Sequence, residues 1–294
     1  MRPIAFLGSF LLTQPGAPPT LGTPPILVGV LEEPQCKSDS RRAVRVLFEK
    51  DRLTWNALDT PEAGAGVDQS SLTWTVAFDG RQLGVVSTKD GGFESPYSWT
   101  YPRDKLLELS DDTAIPEVIN RTGFFGGWCE EPRFRPLVVV TSPNYRDPAG
   151  WKPADTSPAL LDELFPQFRT VAGDATRCQS EDAEPSAFEY QQEDLVTVRT
   201  YRDRLGRALV ALSLDPGKNK CDGPWESPWS SHWFLVGGES SQYLGSQLSL
   251  VDAGDYDGDG SSEVVFWHSG YDEDGYALFY DDFRKHVRYY WTYH

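Results

Sequence analysis

Residues 250–267 read LVDAGDYDGDGSSEVVFW, and the reading of the whole chain turns on this stretch. A largely apolar run, Leu248 to Val251, leads into Asp255, Asp257 and Asp259 at alternate positions. Gly260 follows at once, Glu263 stands four residues after Asp259, and Val264 to Trp267 resumes an apolar strand. Alternate carboxylates on a tightly curved loop converge on one centre, which alternate residues on a straight strand do not. Such a centre suits a hard cation that takes six to eight oxygens, and Ca²⁺ is the expected ion. Gly260 supplies the positive φ that a sharp turn needs.

The spacing D-x-D-x-D-G-x-x-E covers the first half of an EF-hand loop. At the twelfth position, where an EF-hand has its bidentate Glu, the chain has Phe266. The flanks, Ser249–Asp252 and Val264–His268, read as strands rather than helices. From about Ser249 to Phe266 the sequence resembles the calcium loop of FG-GAP (integrin-α-type or VCBS-like) repeats, in which strand, D-x-D-x-D-G-x-x-D loop and strand follow in order. Glu263 stands where that family more often has Asp. The resemblance implies a β-propeller-like fold and a Ca²⁺ ligand set of Asp255, Asp257, Asp259, Ser261 and Glu263. Asp252, three residues before the loop, is expected to add an outer-shell oxygen. The competing reading is an Asp/Gly-rich hairpin turn without metal.

Composition narrows the partners. The chain has 294 residues, with 27 Lys and Arg against 44 Asp and Glu, a formal charge of −17. No basic run interrupts this excess, so nucleic acid and anionic membrane surfaces would be repelled. No segment approaches 18 apolar residues, so no membrane span is expected. Thirteen per cent aromatic residues with 26 Gly and 22 Pro point to many short strands joined by turns.

Cys36, Cys129, Cys178 and Cys221 are far apart and form no C-x-x-C pair, which excludes a zinc ribbon and a thioredoxin-type site. If the protein is exported they are expected to form two disulfides, with three connectivities open; the alternative is four thiols in a cytosolic protein. Ile4 to Leu12, behind Arg2, has the outline of a short signal peptide. Residues 1–25 are therefore expected to be a signal and leader, and 26–294 a single β-rich domain.

Along that domain the apolar patterning predicts strands at Ile26–Leu31, at Pro136–Thr141 and in hairpins over 43–58, 72–88 and 195–214. Asp79–Gly80 is the turn signal of the second hairpin. Five further strands are expected at 232–236, 247–252, 264–268, 276–280 and 287–291, with turns at Asp274–Gly275 and Asp281–Asp282. Lys89–Ser95 and residues 171–187 read as loops, and Lys105–Leu109 as one helical turn. Ser157–Pro158 opens a helix that Pro166 is expected to stop after Phe165. The hairpins repeat only loosely at blade length, so a β-sandwich with an inserted helix remains the structural alternative.

No constellation identifies a catalytic centre. His232, His268, His286 and His294 lack metal spacing, and there is neither a G-x-S-x-G elbow nor a phosphate-cradling loop. Asp111–Asp112 and Glu130–Glu131 are acidic pairs of the kind chance provides in so acidic a chain. Asp272–Glu273–Asp274 offers a second, weaker cation site or simply a turn. Asn120 opens a glycosylation sequon. Trp225, Trp229 and Trp233 read as a ligand-binding surface or as core. The expected function is an exported calcium-binding module for a protein or carbohydrate ligand, acting as a monomer. The alternative is a secreted hydrolase or lyase on a propeller scaffold.

Overall fold

Alternation with a period of two runs through most of the apolar segments, and the computed structural model is accordingly mainly antiparallel β, with one α-helix among the described residues. It describes residues 25–32, 42–59, 71–93, 106–118, 121, 134–221, 227–238 and 240–292. The leader, Cys36, Cys129, the Asn120 sequon, Glu130–Glu131 and Trp225 lie outside these residues.

The N-terminal sheet contains β1 (Ile26–Glu32), β2 (Ala43–Asp51), β3 (Thr54–Ala57), β4 (Thr73–Phe78), β5 (Arg81–Phe93), β6 (Leu106–Leu109) and β7 (Val138–Val140). β1 pairs with both β2 and β7, and the pairing continues from β7 to β4, β5, β6 and back to β2. These strands therefore close on themselves as a ring. β3 lies beside the end of β2 that β6 leaves free. Asp79 and Gly80 carry φ of 51° and 68° at the β4–β5 turn, the left-handed pair that a two-residue hairpin demands.

Two expectations fail here. Lys105–Leu109 is not a helical turn: Leu106–Leu109 is strand, drawn into the ring by pairing with Ala43–Arg45, and tertiary pairing overrides local propensity. Asp90–Gly91–Gly92 is not loop either but sits inside β5. The register slips there between Thr88 and Gly92, an irregularity that lets the glycines bend the strand.

β8 (Lys152–Pro153) is followed by the helix α1 (Pro158–Ala172) and a small pair, β9 (Ala175–Arg177) with β10 (Ser186–Phe188). Residues 171–187, expected as loop, thus include the helix end and strand. Ser157 caps α1, its Oγ accepting from the Leu160 N–H at 3.3 Å. Pro166 does not stop the helix, which runs on to Ala172 and ends at Gly173, φ 79°. A proline there removes one helical hydrogen bond. Leu160, Leu164, Phe168 and Ala172, spaced by four, form a continuous buried stripe that offsets the loss.

β11 (Leu195–Arg202), β12 (Ala208–Leu214), β13 (His232–Gly237) and β14 (Ser240–Ser246) follow as a meander with β8 at its edge. The last sheet is a second meander: β15 (Leu248–Gly254), β16 (Glu263–Ser269), β17 (Glu273–Tyr280) and β18 (Lys285–Thr292). Asp274–Gly275, read as a turn, lies inside β17 opposite Trp291 and Tyr290; Gly270–Asp272 makes the bend instead. Glycine is required at 275 because a Cβ would stand 2.2 Å from the Tyr289 carbonyl oxygen.

The sheets stack face to face. Val265, Trp267, Tyr276, Leu278 and Tyr280 of the last sheet pack into one core with the ring. Their neighbours Val264, Phe266, Ala277 and Phe279 pack the other way, against Leu209, Ala211 and Trp233 of the middle sheet. Val210, Leu212 and Phe234 then face α1. Trp229 and Trp233, considered for a ligand surface, are buried at 1% and 2% exposure and belong to these cores.

Candidate metal centre

The last sheet carries the acidic loop at the hairpin between β15 and β16, where Gly254 pairs with Glu263. Inside the hairpin each loop carboxylate accepts backbone N–H groups, which curls the chain inward. Asp255 accepts from Gly258 at 2.7 Å and Gly260 at 3.0 Å, Asp257 from Asp259 at 3.1 Å, and Asp259 from Ser261 at 2.7 Å. Gly260 has φ 90°, the conformation read from the sequence. From the outside, the Asp255 N–H donates to the Arg146 carbonyl at 2.7 Å.

This curl brings one carboxylate oxygen each from Asp255, Asp257 and Glu263 to within 4.8 Å of one another. Among the described residues no other three such side chains come as close. Asp259 and Ser261 are exposed on the outer rim of the loop and stand outside this group. Asp272–Glu273–Asp274 does not converge: Glu273 reaches His268 at 3.2 Å, and Asp274 is buried within the strand. His268 stacks on Tyr290 at 4.5 Å, which accounts for it as a packed residue.

Three oxyanions in a partly dry site repel. Burial first, and the Asp257 charge next, push the Glu263 carboxyl up to about 9, and its oxygen is held by the Tyr256 N–H at 2.8 Å. Burial likewise raises Asp255, against the pull of its two N–H donors. The sequence reading missed Lys50 at the end of β2. Its Nζ lies 2.5 Å from Asp257 Oδ2, with the Trp55 and Tyr280 rings 5.1 and 5.7 Å away. No local signal ties Lys50 to the loop, because the contact joins the ring to the last sheet.

Asp252, expected as an outer-shell residue, is fully buried in its own network. Its Oδ2 accepts from the hydroxyls of Tyr145 and, at 3.3 Å, Tyr256; its Oδ1 accepts from the Gly80 N–H at 3.2 Å. The two rings stack at 5.7 Å. Tyr145 reaches this position over Gly254, where a Cβ would lie 2.2 Å from its ring. Asp252 thereby clamps the β4–β5 turn, the 145–147 segment and the acidic loop together.

Burial, opposed by the Tyr145 hydroxyl and Arg135, raises the Asp252 carboxyl from 3.8 to about 6. An acid whose folded pKa lies above its unfolded value favours folding while protonated, so this contribution is lost as pH rises through that window. Stability should fall by about 2 kcal/mol from this group between pH 4 and pH 6, the larger part of about 3 kcal/mol lost across its full titration. Asp252→Asn should flatten that part of the profile, measured by urea melts across the range. An identical pH slope in the variant would exclude Asp252 as its source.

No protein-family model matches the chain, and neither a curated protein nor a solved structure matches it.

Proposed function

We propose that this is an exported, calcium-binding β protein in which the 255–263 hairpin loop holds Ca²⁺ and the stacked sheets serve as a binding module. The observation that carries the reading is the convergence of Asp255, Asp257 and Glu263 oxygens within 4.8 Å. The donors are all hard oxygens on a loop that can adjust its radius, which suits Ca²⁺ better than the small octahedral shell of Mg²⁺. The partly buried ammonium of Lys50 is the charge that a bound cation would replace beside Asp257. Asp259 and Ser261, implied by the FG-GAP resemblance, would join only if the rim of the loop closed over the ion.

Export is supported by the Cys178–Cys221 disulfide. Among the described residues no helix is long and apolar enough to cross a membrane.

Melting with and without calcium tests the cation. Ca²⁺ at a hundredfold its Kd should add about 2.7 kcal/mol, since it binds the folded loop and not the unfolded chain. Chelation should lower the melting temperature, and Ca²⁺ should restore it better than Mg²⁺. Asp257→Ala should lose this response, whereas Asp112→Ala, on an exposed turn away from the loop, should keep it. A melting curve indifferent to chelator, calcium and the Asp257 substitution would end the calcium reading.

A further inference from the structure

Beside the Asp252 clamp, the three sheets leave a cleft of about 450 Å³ at their junction. Its walls come from distant parts of the chain: the β4–β5 turn, Arg135, the 147–153 segment, the β11–β12 turn and β15. In volume it is large enough for a molecule the size of a monosaccharide.

The charges in this cleft run against the rest of the molecule. A chain of formal charge −17 places four basic side chains here, Arg81, Arg135, Lys152 and Arg204, against Asp79, Asp147 and Asp252. The three carboxylates already have donors. Asp79 is paired with Arg135 at 2.7 Å. Asp147 accepts from the Ser262 hydroxyl at 2.6 Å and the Trp151 N–H at 2.8 Å. Asp252 is filled by the two tyrosines and Gly80.

The cations divide differently. Arg135 is spent on Asp79, the Val251 carbonyl and the face of Phe78. Arg81, Lys152 and Arg204 make no ion pair with any carboxylate among the described residues. Arg204 is nevertheless held in place, its backbone N–H donating to Ala149 O at 2.9 Å and its guanidinium to Pro148 O at 3.3 Å. Tyr201, stacked on Trp233 at 6.3 Å, gives the cleft a half-buried aromatic wall.

We propose that this cleft binds a small organic anion, its carboxylate or phosphate held by Arg81, Lys152 and Arg204 and its body resting against Tyr201. Two guanidinium groups offer the paired N–H donors that match such oxyanions, and the ammonium adds a third charge. The engaged state of the three aspartates leaves them as fixed walls rather than competitors for these cations. The assignment does not depend on the cation reading of the acidic loop.

Isothermal titration of the full chain in calcium-containing buffer tests it, with glucose 6-phosphate and glucuronate as probes and glucose as their neutral twin. At least one anionic sugar should bind saturably and on the order of tenfold or more tighter than glucose, with affinity falling as salt rises. The Arg81→Gln/Arg204→Gln double variant should weaken that binding by roughly tenfold or more. Both side chains are exposed, so its melting temperature should stay near that of the parent; Lys152→Gln gives an independent, smaller loss. The proposal is overturned if neither anion binds better than glucose, or if the folded double variant binds like the parent.

Discussion

Alanine at either Phe266 or Trp267 is expected to destabilise the protein by about 3–5 kcal/mol, lowering the melting temperature by on the order of 10 °C. The two are adjacent in β16, so they point to opposite faces, and both are at most 1% exposed. Phe266 meets Trp233 edge-on at 5.0 Å and Phe279 at 5.5 Å, between the last and middle sheets. Trp267 meets Tyr276 at 4.9 Å and Trp291 at 5.5 Å on the side of the ring. In a sheet with one wetted face, one of two neighbours would be nearly neutral. Equal, large losses measured by chemical denaturation are therefore the signature of a sheet buried on both sides. A small effect at either position would contradict the stacking.

Opening the Cys178–Cys221 bond should have an effect of similar size. The bridge spans a sequence separation of 43, and the chain entropy it removes from the unfolded state amounts to about 4 kcal/mol. Its local anchor is Asn219, whose Oδ1 accepts from the N–H groups of both cysteines, at 3.3 and 3.0 Å. Reduction, or Cys178→Ser with Cys221→Ser, should lower the denaturation midpoint accordingly. In the unreduced, denatured protein neither cysteine should react with a thiol reagent. Alkylation mapped to either one would refute the bridge, and would remove the main structural support for export.

Much of this architecture was legible from local pattern, and the exceptions share a cause. Asp79–Gly80 announced its hairpin because a positive-φ pair between alternating strands has few other uses. Asp274–Gly275 carried the same signature and misled, since Gly275 is there to admit the Tyr289 carbonyl from the neighbouring strand. β14, SSQYLGS, escaped notice because an edge strand with only Leu244 buried shows no apolar alternation. Pro166 misled because its cost is offset by the burial of Leu160, Leu164, Phe168 and Ala172 against another part of the chain, which local pattern does not display. The acidic loop itself was readable as a contiguous motif, including the turn at Gly260. Lys50 and the cleft were not, because their residues meet only when the ring, the middle sheet and the last sheet come together.

The closed ring has a consequence for how the chain is made. Both later meanders pair only strands that follow one another in sequence, apart from the β8 edge, so each can form as soon as its own hairpins exist. The ring must wait until β7 returns to β1 across more than a hundred residues, a slow closure in entropic terms. Its apolar flank is then covered by β15–β18, which leave the ribosome after every strand of the ring. A nascent chain paused before residue 248 would leave β3, with Trp55, without its neighbour β18 and that flank of the ring uncovered. That interval is when a holding chaperone would matter most, and it closes with the synthesis of the strands that carry the acidic loop.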